Sequence, residues 1–145
     1  MVAQRVTVGT TSVDGLTLSE TRAVPLTALR ALHETARWAQ GRSLTTLRTL
    51  LRESDIFLTV WDGDALIGCA RVLTDYTMRA LICDVIVHPD QQGRGIGRLL
   101  IEAVEEHPAL RDVESLCLFT TQKRDFYAHL GWKEHPGIGM VLNRG

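Results

Sequence analysis

The stretch RALICDVIVHPDQQGRGIGRLLIEAVEEH, residues 79–107, constrains the fold more than any other. It reads as an apolar strand over Arg79–Val87, interrupted by Asp84, followed by Gly93, Gly95 and Gly97 and then an apolar helix to about His107, closed by Pro108. A strand that feeds a helix through so short a loop returns to its sheet by a right-handed crossover, which sets the next strand parallel to it. The next strand signal lies at 114–121. Upstream, IFLTVWDGDALIGCARVL reads as a hairpin, with strands at 56–61 and 65–73 and Asp62-Gly63 as a turn that tolerates positive φ. One antiparallel hairpin and one late parallel pair imply a mixed α/β sheet rather than a repeating βαβα fold.

The remaining elements follow from periodicity. Residues 15–24 alternate enough for a strand, and residues 1–15 fray or add an edge strand. Pro25 suits the first turn of a helix, where its missing N–H costs little. Leu26, Leu29, Leu32 and Ala36 continue at helical spacing until Gly41. Ser43 caps a second helix whose apolar face is Leu44, Leu47, Leu50 and Leu51. A short helix is expected at 125–130 and a last strand at 137–142. The 145 residues are read as one domain, able to bury a core without metals or disulfides.

Composition removes several function classes. The formal net charge is -1, with no extended basic patch for nucleic acid. No apolar run approaches a membrane span, and the N-terminus lacks a signal-peptide core, so the chain reads as cytoplasmic. Cys69, Cys83 and Cys117 sit in apolar runs without zinc-ligand spacing, and are expected to be buried free thiols with no metal.

The glycines do not form a dinucleotide fingerprint: the third position of GxGxxG falls on Arg98 from Gly93 and on Leu100 from Gly95. Nor is there the Lys-Ser/Thr of a phosphate-binding P-loop. Two readings fit the spacing. One is an anion site, in which small residues admit a ligand to the free N–H groups of a helix N-terminus and Arg94 and Arg98 add charge. The other is a tight strand-to-helix turn with surface arginines.

Gln92-Gly93-Arg94-Gly95-Ile96-Gly97 resembles the acyl-CoA signature [Arg/Gln]-x-x-Gly-x-[Gly/Ala] of the GCN5-related N-acetyltransferase (GNAT) superfamily. Downstream, FYAHLGW (126–132) is similar to that family's FYxxxGF ending, with Trp132 in place of Phe. The resemblance covers roughly residues 16–142, by element order more than by motif in the first half. It implies a mixed, mostly antiparallel central sheet flanked by helices, whose fourth and fifth strands splay apart around acetyl-CoA. It also implies main-chain contacts to pantetheine from Ile86 and Val87, and a pyrophosphate held by Gln92, Gly93, Arg94, Gly95, Ile96, Gly97 and Arg98. Thr121 lines the cofactor gap where many members carry Asn. Lys123 and Arg124 either pair with the adenosine phosphates or are solvated.

The activity so implied is direct transfer of an acetyl group from acetyl-CoA to a primary amine of a small molecule or peptide. The alternatives are a catalytically inactive acyl-CoA-binding or sensor domain, and transfer of another acyl group. Tyr127 resembles the family's general acid, and Val87 is the candidate N–H donor to the acetyl carbonyl. Asp84, a carboxylate in an apolar strand, is a candidate base, substrate contact or cap of backbone groups. His88 and His129 are weaker candidates, since the amine can lose its proton to water. His33, Trp38, Arg42, Trp61, Arg71 and Tyr76 are candidates for the acceptor side. No metal, nucleic acid or membrane is expected, and a homodimer is possible from the resemblance.

Overall fold

The computed structural model describes residues 11–145. Six strands lie side by side in chain order. They are β1 (Thr11–Val13), β2 (Leu16–Ser19), β3 (Ile56–Asp62), β4 (Ala65–Thr74), β5 (Arg79–Val87) and β6 (Ser115–Cys117). Neighbours are antiparallel except β5 and β6, which are parallel as the crossover requires. The helices are α1 (Leu26–Glu34), α2 (Leu44–Glu53), α3 (Ile96–Glu105) and α4 (Arg124–His129). The expected mixed, mostly antiparallel sheet flanked by helices is what forms. Of the N-terminal stretch, residues 1–10 lie outside the described residues; beyond them, β1 is an edge strand on β2.

Each sheet face buries its own core. On one side, Leu58, Val60, Val72 and Ile82 pack under the α3 stripe of Ile96, Leu100, Ile101 and Val104. On the other, Phe57, Cys69 and Ile86 pack beneath Leu29 and Leu32 of α1 and Leu47 and Leu51 of α2. Leu58 and Phe57 are adjacent on β3 yet enter different cores, as the period-2 strand requires. Ser43 caps α2 as expected, accepting from Thr46 N–H at 3.1 Å. At the other end of α2, Arg22 donates to the carbonyls of Leu51, Arg52 and Asp55. Gly68 lets α3 approach β4: a Cβ there would lie 3.0 Å from Ile96 Cγ2 and 3.4 Å from Leu100 Cδ1.

The β4–β5 ladder contains a bulge. Cys69 faces Ile86, but Arg71 faces Cys83, so Asp84 and Val85 together oppose Ala70. Asp84 takes a left-handed backbone, φ 51°, a conformation that Asp tolerates better than most residues. The extra residue reverses the alternation of β5. Ile82 enters the α3 core, whereas Ile86, still an even position, enters the α1/α2 core.

A polar seam joins α1 and the α1–α2 link to this bulge. Arg42 Nη1 lies 2.9 Å from Asp84 Oδ2 and 3.1 Å from His33 Nδ1. A guanidinium only donates, so neutral His33 accepts at Nδ1 and carries its proton on Nε2, 3.9 Å from Cys69 Sγ. Burial, followed by the Arg42 and Arg71 charges, lowers the His33 pKa to about 4, against the opposing pull of Asp84.

Four sequence expectations are corrected. The strand expected at 15–24 is only Leu16–Ser19. The strand expected at 114–121 is only Ser115–Cys117, because its pairing ends at Leu81↔Cys117, before the bulge. Residues 137–142 form no strand: their alternation describes what the segment could pair with, and no ladder of the sheet includes them. Ile138, Met140, Val141 and Leu142 are accordingly more than 80% exposed. Finally, Cys69 is buried, but Cys83 and Cys117 are only half-buried, and all three are free thiols.

Two stability outcomes are expected. Gly68→Val should lower the unfolding free energy by about 1–3 kcal/mol through overpacking against α3, read from the urea midpoint. For His33, the unfolded state takes up its proton near pH 6.5, whereas the folded state resists until about pH 4. Its contribution is therefore complete above pH 6.5 and is lost as pH falls towards 4, on the order of 2–3 kcal/mol. His33→Gln should flatten that part of the stability–pH curve; an unchanged slope would show that His33 is not its source.

Candidate active site

The separation of β5 from β6 opens a cleft of about 1450 Å³. Its walls are residues 81–87 of β5, the α3 start, residues 118–123, and Phe126 and Tyr127 of α4. These diverging strands are the pair expected to splay apart. The C-terminal end of a parallel strand pair followed by a helix start is a common place for a ligand in α/β folds.

The open edge of β5 presents main-chain groups in a fixed pattern. His88 N–H donates to Ile67 C=O on β4 at 2.8 Å. In an antiparallel ladder, alternate residues face the same neighbour. Ile86, opposite Cys69, therefore directs its main-chain groups to β4, and Val87, between them, turns its N–H and C=O towards the cleft. Val87 also lines the cleft. Ile86 lines it too, but it is paired with Cys69 and its main-chain groups point to β4; Val85, in the bulge, lines the cleft as well.

The glycine loop resolves into three different requirements. Gly93 has φ 84° and Gly95 has φ 78°, and a Cβ on either would meet open space. Their need is conformational, and the space beside them is free. Gly97 is helical, and a Cβ there would lie 3.2 Å from the Phe126 ring. Its missing side chain makes room for Phe126 rather than only for a ligand. Gly95 begins α3, and no side chain caps that N-terminus, so the N–H groups of Ile96, Gly97 and Arg98 have no intrahelical partner. Gln92, Gly93, Gly95, Ile96, Gly97 and Arg98 line the cleft. Arg94 does not: its Nη1 is held by Gln91 at 2.6 Å and Asp62 at 3.1 Å. Arg98 pairs with Glu102 one turn on, at 2.7 Å.

Tyr127 lies near the middle of α4 and half-buried against the core beneath α3. Phe126 and Trp132 flank its ring at centroid distances of 5.0 and 6.0 Å. Trp132 Nε1 donates to Glu105 on α3 at 2.8 Å, which holds the chain after α4 in place. Tyr127 lines the cleft, and its hydroxyl has no hydrogen-bond partner among the described residues. Burial raises its pKa, so at neutral pH it carries a proton.

Asp84 lines the opposite end of the cleft. Arg71 Nε reaches its Oδ2 at 2.6 Å, and Arg42 contacts both carboxylate oxygens, at 2.9 and 3.3 Å. Burial pushes the Asp84 pKa up, but the hydrogen bonds and charges of Arg71 and Arg42 outweigh it and hold the group below the usual carboxylate range. Such a carboxylate is a weak proton acceptor.

The other candidates divide cleanly. Trp38 and Arg71 line the cleft, while His33 and Arg42 stand behind Asp84. Trp38 is 60% exposed, its ring 5.9 Å from the Arg42 guanidinium, rather than in the core. Trp61 donates to Thr59 and packs in the α1/α2 core, and Tyr76 sits at the β4–β5 turn; neither lines the cleft. His88 Nδ1 accepts from Asp90 N–H, and His129 Nδ1 lies 2.6 Å from Asp125 C=O. Thr121 and Lys123 line the cleft, whereas Arg124 pairs with Glu134. Sequence reasoning missed Val85, visible only once the bulge is known. It also missed Arg37, whose signal was a cation beside Trp38 just after a helix. Among the described residues there is no metal-ligating cluster, and no helix long and apolar enough to cross a membrane.

Comparison with known proteins bears on the fold and the family. GCN5-related N-acetyltransferase 2, chloroplastic, from Arabidopsis thaliana is 40% identical over 101 residues, covering 64% of this chain and 39% of that protein. Histone acetyltransferase TAP1 from Glycine max is 32% identical over 120 residues, covering 74% of this chain and 52% of that protein. The chain thus spans about half or less of the length of these relatives. A solved structure assigned to the GNAT family, from Xanthomonas campestris pv. campestris, superimposes with a TM-score of 0.78 at 23% identity, over 90% of this chain and 96% of that one; at that identity it speaks for the fold. The family model described as "Acetyltransferase (GNAT) domain" matches residues 53–134, the segment that carries the bulge, the glycine loop and Tyr127, and the chain belongs to that family.

Proposed function

We propose that the chain transfers the acetyl group of acetyl-CoA directly to a primary amine. The observation that carries this reading is a single cleft onto which three unpartnered groups open: the uncapped start of α3, the Val87 N–H and the Tyr127 hydroxyl. They match the needs of an extended thioester with a diphosphate at one end.

In this reading the N–H groups at the start of α3 hold the diphosphate, and Gly93 and Gly95 give it access. Val85 and Val87 meet the pantetheine arm with their main-chain groups, and Thr121 borders it. The amine nitrogen attacks the thioester carbon, and Val87 N–H supports the negative charge that develops on oxygen. As the carbon–sulfur bond breaks, Tyr127 gives its proton to the departing thiolate. The amine's surplus proton leaves to water. Asp84 is a positioning residue that fixes Arg42 and Arg71, not the base. Three free thiols suit a reducing compartment such as the cytoplasm.

Calorimetric titration of the intact chain with acetyl-CoA, with dephospho-CoA and adenosine as controls, tests the cofactor assignment. One-to-one saturable binding is expected, and Gly95→Leu should raise Kd about tenfold or more by straining and blocking the loop. Folded protein that does not bind sinks the assignment. Tyr127→Phe should leave acetyl-CoA affinity within about twofold and lower kcat by about 100-fold. Unchanged kcat across pH would remove the acid role, and binding without transfer to any amine would favour a sensor domain. Comparing acetyl, propionyl and succinyl donors separates acetyl transfer from the transfer of longer acyl groups.

A further inference from the structure

We propose that the acceptor amine carries an anionic group of its own, a carboxylate or a phosphate, and that Arg71 is the residue that selects for it. This rests on the acetyltransferase reading above and specifies its substrate class. The charged residues lining the cleft are Arg37, Arg71, Asp84, Arg98 and Lys123. Asp84 is the only acid among them, and its carboxylate is already shared by two guanidiniums. Among the described residues no free carboxylate in the cleft is left to receive a second ammonium group, as a polyamine or a lysine-rich peptide would need.

Arg71 is the opposite case. Its Nε is fixed on Asp84 Oδ2 at 2.6 Å, and its side chain is only 14% exposed. Its two Nη groups have no hydrogen-bond partner among the described residues. Among the described residues no buried side-chain nitrogen or oxygen lacks a partner, so these nitrogens are not sealed in the core, and the cleft is what Arg71 borders. A guanidinium oriented by one carboxylate, with its terminal N–H groups free, is preorganised to bind an oxyanion in a fork.

The placement suits a substrate contact. Arg71 faces Cys83 beside the bulge, and Gly68, three residues away on β4, faces Val87. The separation along the strand is on the order of 10 Å, well within the combined reach of an arginine side chain and a small amino acid. Arg37, exposed and without an ion pair among the described residues, stands on the same side of the cleft beside Trp38. The remaining cations, Arg98 and Lys123, belong to the glycine-loop end, where the diphosphate is placed.

The test measures release of the CoA thiol by the intact chain at saturating acetyl-CoA, using matched amines. β-Alanine is compared with β-alaninamide and O-phosphoethanolamine with ethanolamine, with spermidine and a lysine-rich peptide as cationic probes. The acidic member of at least one pair should show kcat/KM about tenfold or more above its neutral partner; which pair does so separates carboxylate from phosphate. Arg71→Gln should remove that preference by raising KM for the acidic amine while leaving KM for acetyl-CoA unchanged, and Arg71→Lys should retain part of it. Arg37→Gln, a surface change that cannot unfold the chain, should weaken the same preference. If no amine turns over, binding of N-acetyl-β-alanine against its amide to the CoA-loaded protein reads the same selectivity. Equal use of both members, preference for the neutral or cationic amines, or binding of neither product overturns the proposal. Failure to bind acetyl-CoA at all, read separately by calorimetry, overturns the acetyltransferase reading and this inference with it.

Discussion

The fixed point of the molecule is the bulge at Asp84. One extra residue in β5 reverses which face its side chains enter, so Ile82 serves the α3 core and Ile86 the α1/α2 core. Only Ile82 and Cys83 separate the bulge from Leu81, the last β5 residue paired with β6, whose partner is Cys117. By the bulge β5 and β6 have already parted, and the main-chain groups of Val87 have the cleft rather than a strand to face. A left-handed Asp costs on the order of 1 kcal/mol or more, and it persists because Arg42 and Arg71 hold its carboxylate from two elements. The strained residue and the cleft adjoin: Asp84, fixed by these ion pairs, lines the cleft at the bulge.

The local elements were legible in the sequence, and the long-range ones were not. The hairpin is set by an Asp-Gly turn between apolar runs, and α2 by Ser43 and its leucines, each within a few residues of chain. The crossover was legible because a strand, glycine loop and helix leave one direction of return. The bulge was not, because it depends on Arg42, 42 residues from Asp84 in sequence. Asp84 itself stood out as a charge in an apolar strand, yet the same anomaly fits a base and an anchor. Only the two guanidiniums at hydrogen-bonding distance decide between them. The strand at 137–142 failed for a related reason: alternation describes what a segment can pair with, not whether a partner exists.

The three glycines show how one motif can answer several physical needs. Gly93 and Gly95 satisfy positive φ, which a loop turning into a helix demands whether or not anything binds. Gly97 satisfies packing, since a Cβ there would crowd the Phe126 ring at 3.2 Å. That contact ties α4 to the start of α3, and Trp132 ties the following turn to its end through Glu105. Tyr127, between them in the chain, is therefore held against the same helix whose N-terminus opens onto the cleft. The spacing that suggests an anion site also positions the hydroxyl, which is why motif and tyrosine occur in one order on one chain.

Electrostatics divides the cleft lengthwise. At the α3 end, partial positive charge comes from unpaired N–H groups. The middle is lined by apolar side chains of β5 and by Tyr127, kept protonated by burial. At the bulge end, one carboxylate faces two guanidiniums, and neutral His33 adds no charge at physiological pH. The balance there is positive, and Arg37 adds to it. In the proposed reading the attacking amine must be uncharged, and a positive balance at this end would disfavour free ammonium groups while an anion elsewhere on the substrate is held. No dedicated base is needed in that reading, and Asp84, the one acid lining the cleft among the described residues, is held ionised by its guanidiniums and is a poor acceptor of protons.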